Sequence, residues 1–296
     1  MQKIILFYKF VPIIDPEAVT LWQYTLAQSL HLRGRILIAN HGINGTLGGS
    51  LKELKAYVEA TNCYSAFKDT VFKWSDGSGQ DFPKLVVRNR PEIVTFNAAS
   101  EIKVDANGII GGGEHLLPEA VHQLVAERGQ DVVFFDGRNA YEAAVGKFKN
   151  AVIPDVKLTR NFKQELADPK YDNIRNKPVI TYCTGGIRCE VLSMLMKKEG
   201  FKEVYQMDGG IVEYGKRYKD DGLWEGSLYV FDGRMGIKFS DKAKDIGSCT
   251  HCAESTSNYE NCTTKSCDKL VLICRYCLPT KRQCLNCQTQ VVTIGK

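Results

Sequence analysis

Eight of the eleven cysteines in this 296-residue chain fall between Cys249 and Cys287. They stand as Cys249-x-x-Cys252, Cys262, Cys267, Cys274-x-x-Cys277 and Cys284-x-x-Cys287. One turn lets both thiolates of a C-x-x-C pair reach a single tetrahedral ion, so the pattern fits two four-cysteine zinc sites. An iron–sulfur cluster is the alternative, because thiolates suit both. The segment from Ser248 onward is poor in large apolar residues, and a module that small needs such staples to hold a fold. It lacks the H-x-E companion of catalytic zinc in deaminases, which makes the metal structural. An odd cysteine total with paired spacings argues against a secreted disulfide framework.

The rest of the chain is ordinary in composition, with 44% hydrophobic and 25% charged residues. That excludes disordered, collagen-like and coiled-coil classes and allows about two domains plus an appendix. Charge is 39 − 34 = +5, a mild excess that permits a polyanionic partner. No apolar run is long enough to cross a bilayer. Lys9 and Pro12 interrupt the opening IILFYKFVPII and Asp15-Pro16 follows it, so it reads as a strand rather than a signal peptide, and the protein as cytosolic with no membrane partner.

Residues 1–95 alternate between strand and helix signals. KIILFYKF is β-rich, Asp15 and Pro16 cap and open a helix to about Leu32, and Leu21, Tyr24, Leu26 and Leu30 are its apolar positions. RILIAN is a buried strand, His41–Gly45 a glycine-rich turn and TLGG the return strand. Ser50 and Glu53 form a capping box, and VFKWS and KLVVRNR supply the last strands. The order β-α-β-β-α-β is ferredoxin-like, or acylphosphatase-like. Residues 96–116, with Asn107-Gly108 and three successive glycines, read as a linker. Residues 117–221 carry continuous apolar strands (DVVFFD, PVITYC, EVYQM) between helices, the signature of a parallel α/β domain. Residues 222–296 are a connection and the cysteine-rich tail.

The sharpest chemical signal is Cys183-Thr184-Gly185-Gly186-Ile187-Arg188-Cys189. A buried strand delivers a cysteine into a Gly-Gly turn, and a helix leaves at once. Curled backbone N–H groups, the positive end of the helix and Arg188 all favour thiolate, the reactive form. Cys189 either resolves an oxidised Cys183 or simply packs against the sheet. Cys63, at the end of a helix in the first domain, reads as structural or incidental.

The segment resembles the active loop of rhodanese-like domains, with Cys183 at the persulfide-carrying position and Thr184–Arg188 as the cradle. Asp136–Asn139 through Glu142 and Gly146 is similar to the strand-turn-helix upstream in those domains, although Phe148 stands near where many carry a histidine. Four residues separate Cys183 from Arg188, one fewer than in cysteine phosphatases of related fold, which favours a sulfur-sized group over phosphate. GINGT at 42–46, Arg138–Glu142, YCTGGIRCE at 182–190, VYQMDGGI at 204–211 and the cysteine tail together resemble the rhodanese-domain tRNA uridine hydroxylases over essentially the whole chain. That resemblance implies oxygen-dependent 5-hydroxylation of the wobble uridine, with O2 as co-substrate, the tRNA anticodon region as partner and Cys183 required. The residues themselves show an activated thiol in an anion-binding cradle.

No G-x-G-x-x-G follows a strand and the five histidines lack facial-triad spacing, so no flavin, haem or nucleotide motif is present. Cys183 either adds to C6 of the uracil and enriches C5 in electrons, or carries an oxidised or persulfidated sulfur that handles oxygen. From Cys249 onward six Lys+Arg face three Asp+Glu, and Lys281 and Arg282, with Tyr259 and Tyr276 nearby, suit RNA contact. Arg88 and Arg90, with Arg33, Arg35 and Lys84, offer the same in the first domain, where His41 and Asn44 are either pocket or turn residues. A sulfurtransferase carrying a Cys183 persulfide and a non-catalytic RNA-binding protein are the competing readings.

Overall fold

The computed structural model describes residues 1–267 and 269–288; residues 289–296 of the tail lie outside them. β1 (Gln2–Phe10), α1 (Pro16–Ser29), β2 (Arg33–Ala39), β3 (Gly42–Ser50), α2 (Leu51–Asn62), β4 (Phe72–Asp76) and β5 (Leu85–Asn89) build the first unit. Its sheet order β4-β1-β3-β2 is antiparallel throughout, the ferredoxin-like arrangement, and β5 extends it by pairing parallel with β2. Both helices begin as the sequence dictates. Asp15 accepts hydrogen bonds from the N–H groups of Glu17 and Ala18, and Ser50 and Glu53 complete their reciprocal capping box.

Two local expectations change. Leu26 and Leu30 pack on the core as expected, but Leu21 and Tyr24 are exposed, and α1 also buries Val19, Gln23 and Ala27, with Gln23 accepting a hydrogen bond from the buried Tyr57 hydroxyl of α2. The β2–β3 turn is Asn40-His41 alone, with Ala39 paired to Gly42, so the glycines after it lie in the strand. Gly42 is at φ +148°, where a Cβ would strike Lys9 O, and a Cβ on Gly45 would meet the Phe7 ring. Close strand and ring approach, not chain reversal, requires these glycines.

Beyond a small hairpin of β6 (Val104–Asp105) and β7 (Gly108–Ile109) comes the second sheet. It is built from β8 (Glu114–Leu116), α3 (Pro118–Arg128), β9 (Val133–Asp136), α4 (Ala140–Ala143), β10 (Gly146–Phe148), α5 (Phe162–Leu166), β11 (Pro178–Tyr182), α6 (Ile187–Lys198), β12 (Glu203–Met207) and α7 (Gly210–Tyr218). Its order is β8-β12-β11-β9, all parallel. β8, within the stretch read as linker, is an edge strand of this sheet. Phe148 is fully buried among Phe134, Tyr182, Tyr214 and Trp224.

β13 (Trp224–Gly226) pairs with β10, and β14 (Leu228–Tyr229) with β15 (Gly236–Ile237) forms a hairpin. The tail adds β16 (Tyr259–Asn261) and β17 (Leu270–Leu272). Tyr259, read from sequence as an RNA contact, is buried: it packs on Tyr141 and Tyr229 and donates its hydroxyl proton to Tyr141 O at 2.8 Å, docking the tail. No helix among the described residues is long and apolar enough to cross a membrane.

Candidate active site

Side chains alternate along a strand, so β1 points Ile5 and Phe7 into the helix-covered core and presents Leu6 and Tyr8 on the opposite face. The registers extend that face into two rows, Leu6–Thr46–Arg35–Val86 and Tyr8–Asn44–Leu37–Arg88. All but Arg88 line a cleft of about 530 Å³ whose opposite wall is the loop Cys183–Arg188, with Asn139, Thr159 and Phe231 at its sides. Cys183 is fully buried behind that wall. A Cβ on Gly185 would come within 2.5 Å of Leu6 Cδ2, and one on Gly186, at φ +102°, within 2.8 Å of Tyr8 Oη. The two glycines are thus what lets the first sheet close over the thiol.

The loop is held from every side. Gly186 N–H donates to Cys183 Sγ at 3.2 Å. The N–H groups of Ile211 and Val212, in the first turn of α7, donate to Cys183 O and Thr184 O, at 2.9 and 3.0 Å. Lys73 Nζ donates to Gly185 O at 2.5 Å. Ile187 packs against the core beneath the sheet. Tyr8 donates its hydroxyl proton to Glu190 Oε1 at 3.1 Å, and Gln206 Nε2 donates to Glu190 Oε2 at 3.1 Å, so this buried carboxylate joins β1 to α6 and β12.

Arg188 is not a free cation. Its guanidinium pairs with both oxygens of buried Glu142, at 2.5 and 2.9 Å, and donates to Thr184 Oγ1 at 3.2 Å. Behind it Arg138 pairs with Asp136 at 2.6 Å, both fully buried. Burial works against a charged Cys183. It is outweighed by a hydrogen bond from Cys189, by Arg188 and by the N–H groups of Cys189 and Arg188, which hold the thiol down at about 5. Cys189, fully buried beside that charge, is pushed up by burial and by Cys183 and keeps its proton. One thiolate with one thiol donating to it is chemically a nucleophile and its proton-bearing neighbour. Cys63 is exposed at the end of α2, away from the site.

Leu6, Tyr8, Thr46 and Phe231 escaped the sequence reading; the period-2 pattern of KIILFYKF does separate Leu6 and Tyr8 from the core set. His41 is a core residue, its Nε2 accepting from Ile93 N–H at 3.4 Å, while Asn44 donates to Ile93 O at 2.8 Å and lines the cleft. Arg35 and Lys84 line the cleft. Arg88 and Arg90 are exposed beside them, and burial, with the charges of Arg88 and Arg90, lowers the pKa of Arg35. Lys281 and Arg282 are exposed on the tail and do not line the cleft.

The tail cysteines gather into two groups, Cys249, Cys252, Cys274 and Cys277, and Cys262, Cys267, Cys284 and Cys287, with the sulfurs in each group within 4.8 Å of one another. Four thiolates at that spacing match the donor set of a tetrahedral zinc ion. The grouping, which the spacing left open, is interleaved: first pair with third, second with fourth.

A strand-borne cysteine in a glycine-rich loop before a helix, on a parallel sheet, defines a rhodanese-like domain. Residues 117–217 match the Rhodanese-like domain family, residues 2–93 the UPF0176 acylphosphatase like domain, and residues 225–290 the Rhodanase C-terminal family. A tRNA uridine(34) hydroxylase of Rhodococcus opacus (strain B4) is 60% identical over 277 residues, covering 94% of this chain and 97% of that protein. One of Arthrobacter sp. (strain FB24) is 59% identical, covering 94% of each chain, and one of Corynebacterium kroppenstedtii is 53% identical, covering 99% of each. The chain belongs to the tRNA uridine(34) hydroxylase family.

Proposed function

We propose that this enzyme hydroxylates C5 of the wobble uridine of tRNA, with dioxygen as co-substrate and Cys183 as the catalytic thiol. The observation that carries the assignment is 53–60% identity to named tRNA uridine(34) hydroxylases across 93–99% of the chain. The geometry supports it, because the loop that carries the buried thiolate walls a cleft lined by apolar side chains, a few amide and hydroxyl groups and the cations Arg35, Lys84 and Arg188, a composition that suits a single extruded base with its phosphates.

In this reading the ferredoxin-like domain (1–95) and the rhodanese-like domain (117–221) enclose the base between them. Cys183 Sγ attacks C6, the C5–C6 π pair moves onto C5 and O4, and the electron-rich C5 bonds one atom of dioxygen to give a C5 hydroperoxide. Loss of the C5 proton breaks the O–O bond, releases water and leaves a C5 carbonyl. Cys189 then attacks Cys183 Sγ, and the S–C6 pair returns to the ring, which takes the Cys189 proton as 5-hydroxyuridine. The disulfide so formed, having supplied the two electrons, is reduced by an external thiol between turnovers. Asn44, Thr46, Asn139 and Thr159 hold the edges of the base. Arg35 and Lys84, with Arg88 and Arg90 behind them, take the backbone phosphates. The eight cysteines between Cys249 and Cys287 hold the fold of the zinc-type tail, which docks through Tyr259.

The test is accurate-mass analysis of tRNA nucleosides from cells lacking the protein, restored with wild type or Cys183→Ala. A nucleoside with one added oxygen, present with wild type and missing with Cys183→Ala, is the expected result. Replacement of oxygen by sulfur has the same nominal mass gain, so exact mass decides; a sulfur-containing product would make the protein a sulfurtransferase. No change would leave an RNA-binding role.

A further inference from the structure

The hairpin β14–β15 starts in the core of the rhodanese-like domain, where Leu228 and Val230 are buried, and ends on the ferredoxin-like domain. Its tip, residues 230–235, is bolted there. Gly233 N–H donates to Asp81 O at 3.0 Å, and Arg234 Nη1 donates to Asp76 O at 3.0 Å and to Ser75 Oγ at 3.3 Å. Asp232 holds the same guanidinium through Nε at 2.8 Å and Nη2 at 2.6 Å. A tip this constrained places whatever it carries.

It carries Phe231, which is 61% exposed and lines the Cys183 cleft. The ring makes one edge contact with Tyr229, at 5.2 Å and 87°, and one face meets the Arg188 guanidinium at 5.8 Å. The rest of that ring is open at the rim, while Cys183 lies fully buried at the floor. Nothing in the core needs a large apolar side chain at this position, and an exposed ring lining the same cleft as Arg35 and Lys84 matches the stacking platforms that hold unpaired bases.

We propose that Phe231 is a substrate-binding residue: it stacks on the nucleobase adjacent to the wobble uridine, at the cleft rim, while the uracil occupies the floor. The inference rests on the reading of the chain as a tRNA hydroxylase. Stacking is blind to base edges, so it orders the neighbour without restricting its identity and leaves recognition of the uracil to the cleft. Arg234 fixes the hairpin tip that carries Phe231.

The experiment is equilibrium binding and single-turnover hydroxylation with anticodon stem-loop RNAs, either intact or abasic at the nucleotide before or after the wobble uridine. Phe231→Ala should raise the half-saturating RNA concentration about 5- to 50-fold while leaving the saturating rate within about 2-fold, the signature of lost binding rather than lost chemistry. Phe231→Trp and Phe231→Tyr should bind as wild type does. One abasic RNA should bind wild type more weakly by a similar factor, yet bind Phe231→Ala no worse than intact RNA does, since the stacking partner is already gone. Because the ring is exposed, Phe231→Ala should melt as wild type does. Equal abasic penalties in both proteins, or unchanged binding of intact RNA by Phe231→Ala, would overturn the platform. Absence of product from wild type with normal binding would instead overturn the hydroxylase reading.

Discussion

Replacing Arg188 by Met, alone and together with Glu142→Gln, isolates what the arginine does for the thiol. A unit charge at contact range, about 4 Å, is worth about 4 kcal/mol at an effective dielectric of about 20, or about 3 pH units. Glu142 is bonded to the same guanidinium at 2.5 and 2.9 Å, so from Cys183 the two charges largely cancel and the net benefit of the pair is about 1 pH unit. Arg188→Met alone removes the attraction and leaves a buried carboxylate facing the thiol, so Cys183 should titrate about 3 pH units higher than wild type. The double variant removes both charges and leaves the loop N–H groups, so it should titrate about 1 pH unit higher. The assay is iodoacetamide alkylation of Cys183 against pH, read by peptide mass. In wild type the rate should hold constant down to about 5 and fall below it, as the thiolate takes its proton. In Arg188→Met it should fall already as the pH drops through about 8. The single variant should also melt earlier, because an unpaired buried charge costs about 3–5 kcal/mol. If Arg188→Met titrates as wild type, Cys189 and the backbone N–H groups set the thiol and the electrostatic account is refuted; if the single and double variants are shifted up alike, the offset by Glu142 is refuted.

Metal content tests the interleaved cysteine grouping: Cys249→Ser with Cys274→Ser should lose one equivalent of zinc, and Cys249→Ser with Cys262→Ser should lose both, read by atomic emission on the purified chain. Tyr8→Phe removes one of the three side chains paired with buried Glu190 (Tyr8, Gln206 and His115) and should lower stability by about 1–2 kcal/mol in chemical denaturation, with Cys183 alkylated faster as the sheet loosens over the loop. Arg35→Ala with Lys84→Ala should weaken anticodon stem-loop binding about 10-fold and reduce its salt slope by about 2, whereas Lys281→Ala with Arg282→Ala, on the tail, should change it by less than about 2-fold.

What the sequence reveals of this site divides by the range of the interactions. Asp15, Ser50 and Glu53 act within four residues of themselves, and their caps form as written. The thiol loop is as local, since Cys183 is stabilised by N–H groups no farther along than Cys189. Arg188 marks the limit. Its charge is visible in the sequence, but its partner lies 46 residues upstream, and only the fold shows that the charge is already balanced. The cysteine groups behave similarly, because C-x-x-C fixes each pair locally while the choice of partner pair depends on how β16 and β17 bring them together.

The glycines of the loop carry this furthest. Curled backbone around an anion is reason enough for Gly185 and Gly186, and read alone the loop asks for nothing more. Yet each glycine also meets a side chain of β1, Leu6 and Tyr8, about 180 residues away. The loop is therefore built to be covered as well as to hold a charge. A bare rhodanese-like domain would present Cys183 to any small electrophile. With the first sheet closed over it, the thiolate is fully buried, and the way to it runs through a cleft of about 530 Å³ with cations at its rim. In the proposed mechanism that cover keeps solvent access low while the loop keeps the thiolate fraction high, and the cleft admits a planar base led in by its own phosphates.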